Sequence, residues 1–157
     1  MDVLAALADW PGAQALRGSM ALYAITNAAH ILAIGLVVGS LATLDLRLLG
    51  LFRNAPVAAL GPPLSRVAAW GVGLAALTGF LLFSVRPSEY IQNPAFLTKI
   101  SLVALGVLNA LVLHFGPRWK QVLRGGAIAP RVRVSAVLSL LIWICAVMAG
   151  RWIGFSE

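Results

Sequence analysis

Four ionisable side chains, His30, Asp45, Lys99 and His114, lie within or at the ends of long apolar stretches of this sequence. An ionisable group in hydrocarbon costs free energy, so we expect each of them to have a partner or a function. Two of the four are histidines, and neutral imidazole is a common ligand of metal ions and of haem iron. The pattern points first to a cofactor held inside a membrane domain.

Depth separates the two histidines along their predicted helices. His30 follows Tyr23 by seven residues, which corresponds to roughly 10 Å below the outer boundary. His114 follows Lys99 by fifteen residues, or roughly 22 Å. We therefore expect that they do not share one iron. A single haem b would lie in the outer half on His30, with its other axial position empty or taken from the third or fourth span, and with Lys99 near the iron or a propionate.

The region around His30 allows other interpretations. On a helical wheel Tyr23, Asn27, His30 and Asp45 fall within about 60° of one another, which predicts a polar seam along the first span. His30 then either binds a cofactor with Asn27 beside it, or is hydrogen-bonded to Asn27 or a carbonyl, or binds another metal or transfers protons. Lys99 either serves the cofactor or extends to the outer surface.

The inner ends of the helices hold a second polar group. His114 lies near a helix C-terminus, where it is expected to pair with Asp45 or to serve haem or the proton chemistry of a quinone site. Asp45 and Arg47 are two residues apart and cannot face each other on one helix, so each needs a partner elsewhere. For Arg47 that partner is predicted to be a lipid phosphate.

Composition assigns the chain to a membrane class, because 61% of its 157 residues are hydrophobic and only 11% are charged. We predict a single all-α domain over 1–157, an integral membrane four-helix bundle preceded by a short outer interfacial helix over residues 2–10. Prolines between the first two spans predict an irregular connection, with Ser65 as N-cap of the second span. The predicted spans are about 20–44, 66–85, 95–116 and 132–150.

The net charge of +7 is unevenly distributed. The first-to-second and third-to-fourth connections carry eight basic residues against Asp45 alone, whereas the opposite side is balanced by four acidic residues, including Asp2 and Glu157. The positive-inside rule then predicts that these two connections are cytoplasmic and that both termini lie outside the cytoplasm. Basic loops beside a bilayer need only lipid headgroups, so no nucleic-acid partner is expected. The eight are Arg47, Arg53, Arg66, Arg118, Lys120, Arg124, Arg131 and Arg133.

Small residues recur on three helix faces and predict close helix approach. They are Gly35 and Gly39 on the first span, Gly71, Ala75 and Gly79 on the second, and Gly106 and Ala110 on the third. The first two faces suit packing within the bundle, a homo-oligomer or a larger membrane complex. The third shares the face of Lys99, where it leaves space for a flat ligand or another backbone.

Several chemistries lack their residues in this sequence. There is no glycine-rich phosphate loop, no pair of intramembrane carboxylates and no Ser-His-Asp arrangement at compatible depth. Met20, Met148 and the single cysteine, Cys145, are too few and too scattered for a soft copper site. No catalytic residue can be assigned from the sequence.

Four short motifs resemble those of a small bacterial four-helix membrane family of unassigned function: His30–Gly35, Asp45–Gly50, Asn93–Lys99 and Leu108–His114. The resemblance covers most of residues 20–120. More distantly the chain is similar to the membrane part of copper resistance protein D and to HemJ, a haem-binding protoporphyrinogen oxidase. Those families share a first-helix histidine and a third-helix lysine, here His30 and Lys99, and the resemblance implies a b-type haem. The segment after His30 lacks the aromatic-rich pattern of HemJ, so porphyrinogen oxidation is not implied.

Three functions follow as hypotheses. The first is a haem b protein that transfers electrons, with quinone as a candidate partner, which would make any enzyme activity that of a membrane oxidoreductase. The second is a non-catalytic subunit of a larger respiratory or photosynthetic complex. The third, copper or small-solute transport, is disfavoured by the missing sulfur ligands.

Overall fold

The computed structural model describes residues 3–155, and all regular secondary structure in that range is helical. Four helices are long and apolar enough to cross a membrane, so the prediction of an all-α protein with four potential spans is confirmed. Asp2 and Glu157 lie outside the described residues. The helices are α1 (Val3–Asp9), α2 (Pro11–Gly18), α3 (Met20–Leu49), α4 (Val57–Val85), α5 (Pro87–Gln92), α6 (Pro94–Phe115), α7 (Pro117–Leu123) and α8 (Pro130–Ile153).

Local sequence explains most helix boundaries. The Ser19 hydroxyl accepts a hydrogen bond from the backbone N–H of Leu22 and caps α3, and the Asn93 side chain accepts from the N–H of Ala95 and caps α6. Gly50 ends α3 with φ of 111°, a left-handed conformation that glycine adopts without strain. Five helices begin with proline, whose fixed φ suits the first helical position: Pro11, Pro87, Pro94, Pro117 and Pro130.

The start of the second span was predicted wrongly. Helix α4 begins at Val57, nine residues before the predicted boundary at residue 66, and it contains Pro62 and Pro63. Ser65 is therefore inside the helix and is not its N-cap. Packing outweighs the proline signal here: Val57 is buried, and Gly61 lies so close to α7 that a Cβ would be 3.1 Å from the Trp119 ring. The other three spans agree with the prediction to within about five residues.

The long helices are antiparallel neighbours along the chain, so their ends form two sides. We call the side where α3 begins and α8 ends the terminal side, and the side of the 50–56 and 116–129 segments the loop side. Helix α3 packs against α4 and α8, and α6 packs against α8. Within the described residues α6 has no extended backbone contact with α3 or α4.

Packing is densest toward the loop side. The larger cluster of buried apolar side chains there joins α3, α4, α7 and α8, and a smaller one lies midway along the helices. Helix α6 is the least buried span, because only 6% of its apolar window is buried, against 39% for α3. The larger cluster contains Leu44, Leu48, Val57, Trp119, Val122, Val132 and Ala136.

Candidate functional site

Three helices bring polar side chains together around His30, in the terminal half of the protein. The Nδ1 atom of His30 on α3 is 2.9 Å from the hydroxyl oxygen of Thr78 on α4. Its Nε2 atom is 3.5 Å from Nζ of Lys99 on α6. His30 and Lys99 are both half-buried. The structure thus joins the first-helix histidine and the third-helix lysine in one polar cluster.

The hydrogen bonds of Thr78 fix the proton on the imidazole. Its hydroxyl lies 2.7 Å from the carbonyl oxygen of Leu74 and donates to it, so the same oxygen accepts from the Nδ1–H of His30. The tautomer is inferred from these partners, since hydrogens are assigned and not seen. The Nε2 atom therefore keeps its lone pair, which faces Lys99.

Two glycines make room for the cluster. A Cβ on Gly79 would lie 3.0 Å from Cε1 of His30, and a Cβ on Gly150 would lie 3.4 Å from Cδ of Lys99. About two turns further in along α4, a Cβ on Gly71 would be 3.1 Å from the backbone oxygen of Ala33. The prediction that small residues on α4 allow close helix approach is confirmed, and the close neighbour is α3.

The other residues predicted for this site lie elsewhere or are already engaged. Asn27, one turn before His30, is exposed and lies on the surface of α3, so the predicted polar seam is not a continuous buried face. The face of Gly106 is not vacant either, because the indole of Trp143 packs on it, at 3.0 Å from the position of a Cβ.

His114 belongs to a separate cluster on the loop side. Its Nε2 atom is 2.7 Å from the Ser65 hydroxyl and its Nδ1 atom is 2.8 Å from the Ala110 carbonyl oxygen. Its ring packs on Trp119 with 4.6 Å between centroids. With both nitrogens engaged, the pairing of His114 with Asp45 that we considered from the sequence is not formed.

Asp45 and Arg47 also have different partners from those expected. Asp45 is 3% exposed, and the Ser139 side chain on α8 lies beside its carboxyl group. The Nε atom of Arg47 donates to the carbonyl oxygen of Ala55 at 2.5 Å, within the connection to α4. Arg47 therefore organises its own loop as well as lying near the predicted membrane surface.

Imidazole and amine nitrogens are atoms that a haem iron can bind, but His30 Nε2 and Lys99 Nζ are in direct contact here and leave no space between them for a porphyrin ring. Two nitrogen ligands on opposite sides of a metal ion, each at about 2 Å, lie about 4 Å apart. The observed 3.5 Å must therefore widen by about 0.5 Å. A flat ring between these nitrogens would also require α6, which reaches α3 and α4 through side chains, to move away from them although it is packed against α8.

A cavity of about 560 Å³ lies on the terminal side of this cluster. Tyr23 lines it about two turns from His30, and Arg17, Arg86 and Tyr90 also line it. Its apolar lining comes from Leu16, Met20 and Val85. The cavity offers hydrogen-bond donors and cations beside apolar surface at the predicted level of the outer headgroups.

Sequence reasoning missed the roles of Thr78, Ser139 and Gly150. The Thr78 hydroxyl donates to the carbonyl oxygen of Leu74 in the preceding turn, as threonine often does in helices. Nothing in the sequence indicates that the same hydroxyl also bonds to His30. Gly150 and Ser139 lie on α8, whose register against α6 and α3 cannot be read from one sequence. In the part of the chain that the structure describes, no group of three or more His, Cys, Asp or Glu side chains could hold a metal ion.

Comparison with known proteins gives one result. No curated protein and no solved structure matches the chain. Residues 15–156 match a family of unknown function, DUF6644. This range includes all four long helices and both histidines. The chain therefore belongs to the DUF6644 family.

Proposed function

We propose that this protein is a b-type haem protein whose four long helices form a membrane-spanning bundle, with His30 Nε2 as an axial ligand of the iron. The observation that supports it is the pair of nitrogen donors, His30 Nε2 and Lys99 Nζ, that face each other at 3.5 Å from two different helices. In this proposal Lys99, as the uncharged amine, would hold the haem together with His30.

The surrounding residues orient the ligands. Thr78 holds the imidazole in the tautomer that leaves Nε2 unprotonated, which is the state that binds a metal. Gly79 lets α4 lie against the imidazole edge, and Gly150 accommodates the lysine stem. Arg17 and Arg86 line the neighbouring cavity and are paired with Asp9 and Glu89, so in this proposal they would exchange those partners for the carboxylates of a haem whose edge reaches that far.

A bound haem would supply reversible one-electron transfer within the membrane. The large cavity is the candidate site for a quinone partner, because Tyr23 and Arg17 offer donors for the quinone carbonyls beside an apolar wall. With a quinone the protein would act as a membrane oxidoreductase on the terminal side.

The test is the absorption spectrum of purified protein reconstituted with haem. We expect a Soret band that is lost in His30→Ala, and in Lys99→Ala a retained band whose position changes because one axial ligand is replaced. His114→Ala is the matched control and should keep the wild-type spectrum, because both nitrogens of that ring have other partners. Absence of the band in wild-type protein, or an unchanged band in His30→Ala, contradicts the proposal.

The quinone partner has a separate test. A short-chain quinol should reduce the haem of wild-type protein, and Tyr23→Phe should slow that reduction while leaving the absorption spectrum unchanged. An equal rate of reduction in both proteins rules out the cavity as the quinone site.

The orientation proposed from the charge distribution places both termini on the outer side of a bacterial inner membrane. We therefore expect activity from a reporter enzyme that works only in the periplasm when this enzyme is fused to the C-terminus. Activity of a cytoplasmic reporter at the same position contradicts this orientation.

One observation favours a second candidate function, that of a non-catalytic subunit. Gly35 and Gly39 are exposed, and a Cβ at either position would meet no atom within 4 Å. Of the two small-residue faces that suggested association, the one on α4 is used inside the chain, whereas this one remains open. Co-purification of a stoichiometric partner that is lost in Gly39→Leu, together with no haem band, would favour the subunit role.

A further inference from the structure

A serine and a histidine from two helices meet on the loop side of the molecule. The hydroxyl oxygen of Ser65 on α4 is 2.7 Å from the Nε2 atom of His114 on α6. Hydroxyl groups in helices commonly donate to a carbonyl of the preceding turn, as those of Ser84 and Ser101 do here. The Ser65 hydroxyl instead meets an imidazole of another helix, so this contact needs a different explanation.

The other nitrogen of His114 determines the direction of this hydrogen bond. Nδ1 is 2.8 Å from the carbonyl oxygen of Ala110, and a carbonyl oxygen only accepts, so Nδ1 carries the proton of the neutral ring. Nε2 then has a lone pair and accepts from the Ser65 hydroxyl. These hydrogens are inferred from the partners of the ring. In this arrangement an imidazole can take the proton of a serine hydroxyl and activate its oxygen as a nucleophile.

Two neighbours hold the imidazole in place. Trp119 is 5% exposed, and its ring packs on that of His114 with 4.6 Å between centroids. The Ala110 carbonyl oxygen occupies the position that a carboxylate takes in a Ser-His-Asp arrangement, where it orients the ring and selects its tautomer. The pair therefore has a nucleophile, a base and an orienting group, although the sequence contains no complete triad.

We propose that Ser65 and His114 are the nucleophile and the general base of a reaction that transfers the acyl group of a membrane lipid ester to water. Oγ of Ser65 bonds to the acyl carbon while His114 Nε2 takes the hydroxyl proton, and the imidazole gives that proton to the alcohol oxygen as the ester bond breaks. A water molecule then attacks the acyl-serine in the same way, which releases a fatty acid and restores the serine. Water is the only co-reactant.

Depth along the helices and charge point to a lipid ester as the substrate. His114 is the penultimate residue of α6, and Ser65 directly precedes the apolar stretch predicted over residues 66–85. Both therefore lie at the predicted boundary between hydrocarbon and headgroups, where the ester groups of phospholipids are found. Both side chains are half-buried, so the pair is not sealed inside the bundle. Arg66 and Arg118, next to Ser65 and four residues after His114, are exposed and suit a headgroup phosphate.

This site is separate from the proposed haem. Thr78, which contacts His30, follows Ser65 by thirteen residues on α4, or roughly 20 Å along the helix. The two proposals therefore fail separately, the haem proposal by its absorption spectrum and this one by the reactivity of Ser65. Reactivity of Ser65 should be equal with and without added haem.

An alkyl fluorophosphonate tests the nucleophile, because an activated serine displaces its fluoride and forms a stable bond from Oγ to phosphorus. We expect one adduct per chain in wild-type protein, located at Ser65 by peptide mapping and absent from Ser65→Ala. Ser101 is the internal control, because this serine is exposed but its hydroxyl bonds to the carbonyl oxygen of Leu97. No adduct at Ser65, or an equal adduct at Ser101, overturns the proposal.

His114→Gln distinguishes a base from a merely structural partner. The amide oxygen of glutamine can accept the hydrogen bond of Ser65 but cannot take its proton, so the rate of labelling should fall about 100-fold. Circular dichroism of the same sample shows whether the variant is folded. An unchanged rate in folded His114→Gln overturns the proposal, and mapping on wild-type protein decides the matter where the variant does not fold.

Phospholipid vesicles test the substrate. Wild-type protein in phosphatidylglycerol vesicles should release fatty acid, and Ser65→Ala should release none. Phosphatidylcholine has the same phosphate but no net charge, so its release should be slower, and Arg66→Gln should reduce the difference between the two lipids. Equal release by wild-type protein and Ser65→Ala, or no release by protein that the fluorophosphonate labels at Ser65, overturns the lipid ester as the substrate.

Discussion

The two histidines of this protein lie in contrasting surroundings. His30, in the terminal half, contacts Thr78 and Lys99 from two other helices, and its Nε2 faces an amine at 3.5 Å. His114, on the loop side, is hydrogen-bonded at both nitrogens and packs on the ring of Trp119. Each ring has a partner at both nitrogens, so the two sites differ in what faces Nε2: the lysine amine of α6 at His30 and the serine hydroxyl of α4 at His114.

The packing is also denser around His114 than around His30. Around His114 the larger apolar cluster joins α3, α4, α7 and α8, and Leu44 and Leu48 are almost completely buried. Around His30 the contact from α6 is made by one lysine side chain. At the same end the stacked rings of Phe83 and Phe96, with centroids 5.5 Å apart, bridge α4 and α6. The larger cluster of buried apolar side chains therefore lies on the loop side, and the terminal side is joined mainly by Lys99 and these aromatic rings.

The largest effect should come from the loop-side cluster. Leu48 is fully buried, so Leu48→Ala should leave a cavity and lower the free energy of unfolding by about 2–5 kcal/mol. Leu32→Ala removes the same atoms from a side chain that is 69% exposed, so the free energy of unfolding should change little. Unfolding in mixed micelles gives both values, and equal losses would contradict the difference in packing.

The contact between α3 and α4 should give the next effect. A Cβ on Gly71 would lie 2.9 Å from Val37 Cγ2 and 3.1 Å from two backbone atoms of α3, so Gly71→Ala should destabilise the protein by about 1–3 kcal/mol. Gly73→Ala is the matched control, because a Cβ there meets nothing within 4 Å and alanine favours the helix. The same unfolding measurement applies, and a stable Gly71→Ala variant would show that the helices do not approach this closely.

Much of this architecture could be predicted from the sequence, since the four spans follow from apolar runs longer than a bilayer is thick and the caps follow from Ser19, Asn93 and Gly50. The start of α4 could not be predicted from the sequence, because its prolines indicate a loop. The segment is helical in the structure, where Gly61 packs on Trp119. The partners of Asp45 and His114 could not be predicted either. Depth along a helix can be counted from sequence, but the neighbouring helix at that depth depends on packing.

Thr78→Val should have a smaller effect on stability but a specific one on the site. Valine keeps the shape of the side chain and removes the partner of His30 Nδ1, which should cost about 1–2 kcal/mol and release the imidazole tautomer. With haem bound, the affinity for haem should fall about 10-fold because an orienting partner of the ligand is lost. Thr98→Val is the control, since the Thr98 hydroxyl bonds only to the carbonyl of its own preceding turn. Unchanged haem affinity in Thr78→Val would separate this threonine from the site.

The smallest effect should come from the partner of the second histidine. Ser65→Ala removes the hydroxyl that meets His114 Nε2 at 2.7 Å, and we expect a loss of about 0.5–1.5 kcal/mol, since Trp119 and the Ala110 carbonyl still hold the ring. The haem spectrum should not change at all. Ser65→Ala and Thr78→Val each remove the hydroxyl partner of one half-buried histidine. The two variants therefore differ mainly in which of the two regions contains the histidine. A spectral change in Ser65→Ala would mean that the loop-side histidine also serves the cofactor, and the contrast between the two regions would then have to be abandoned.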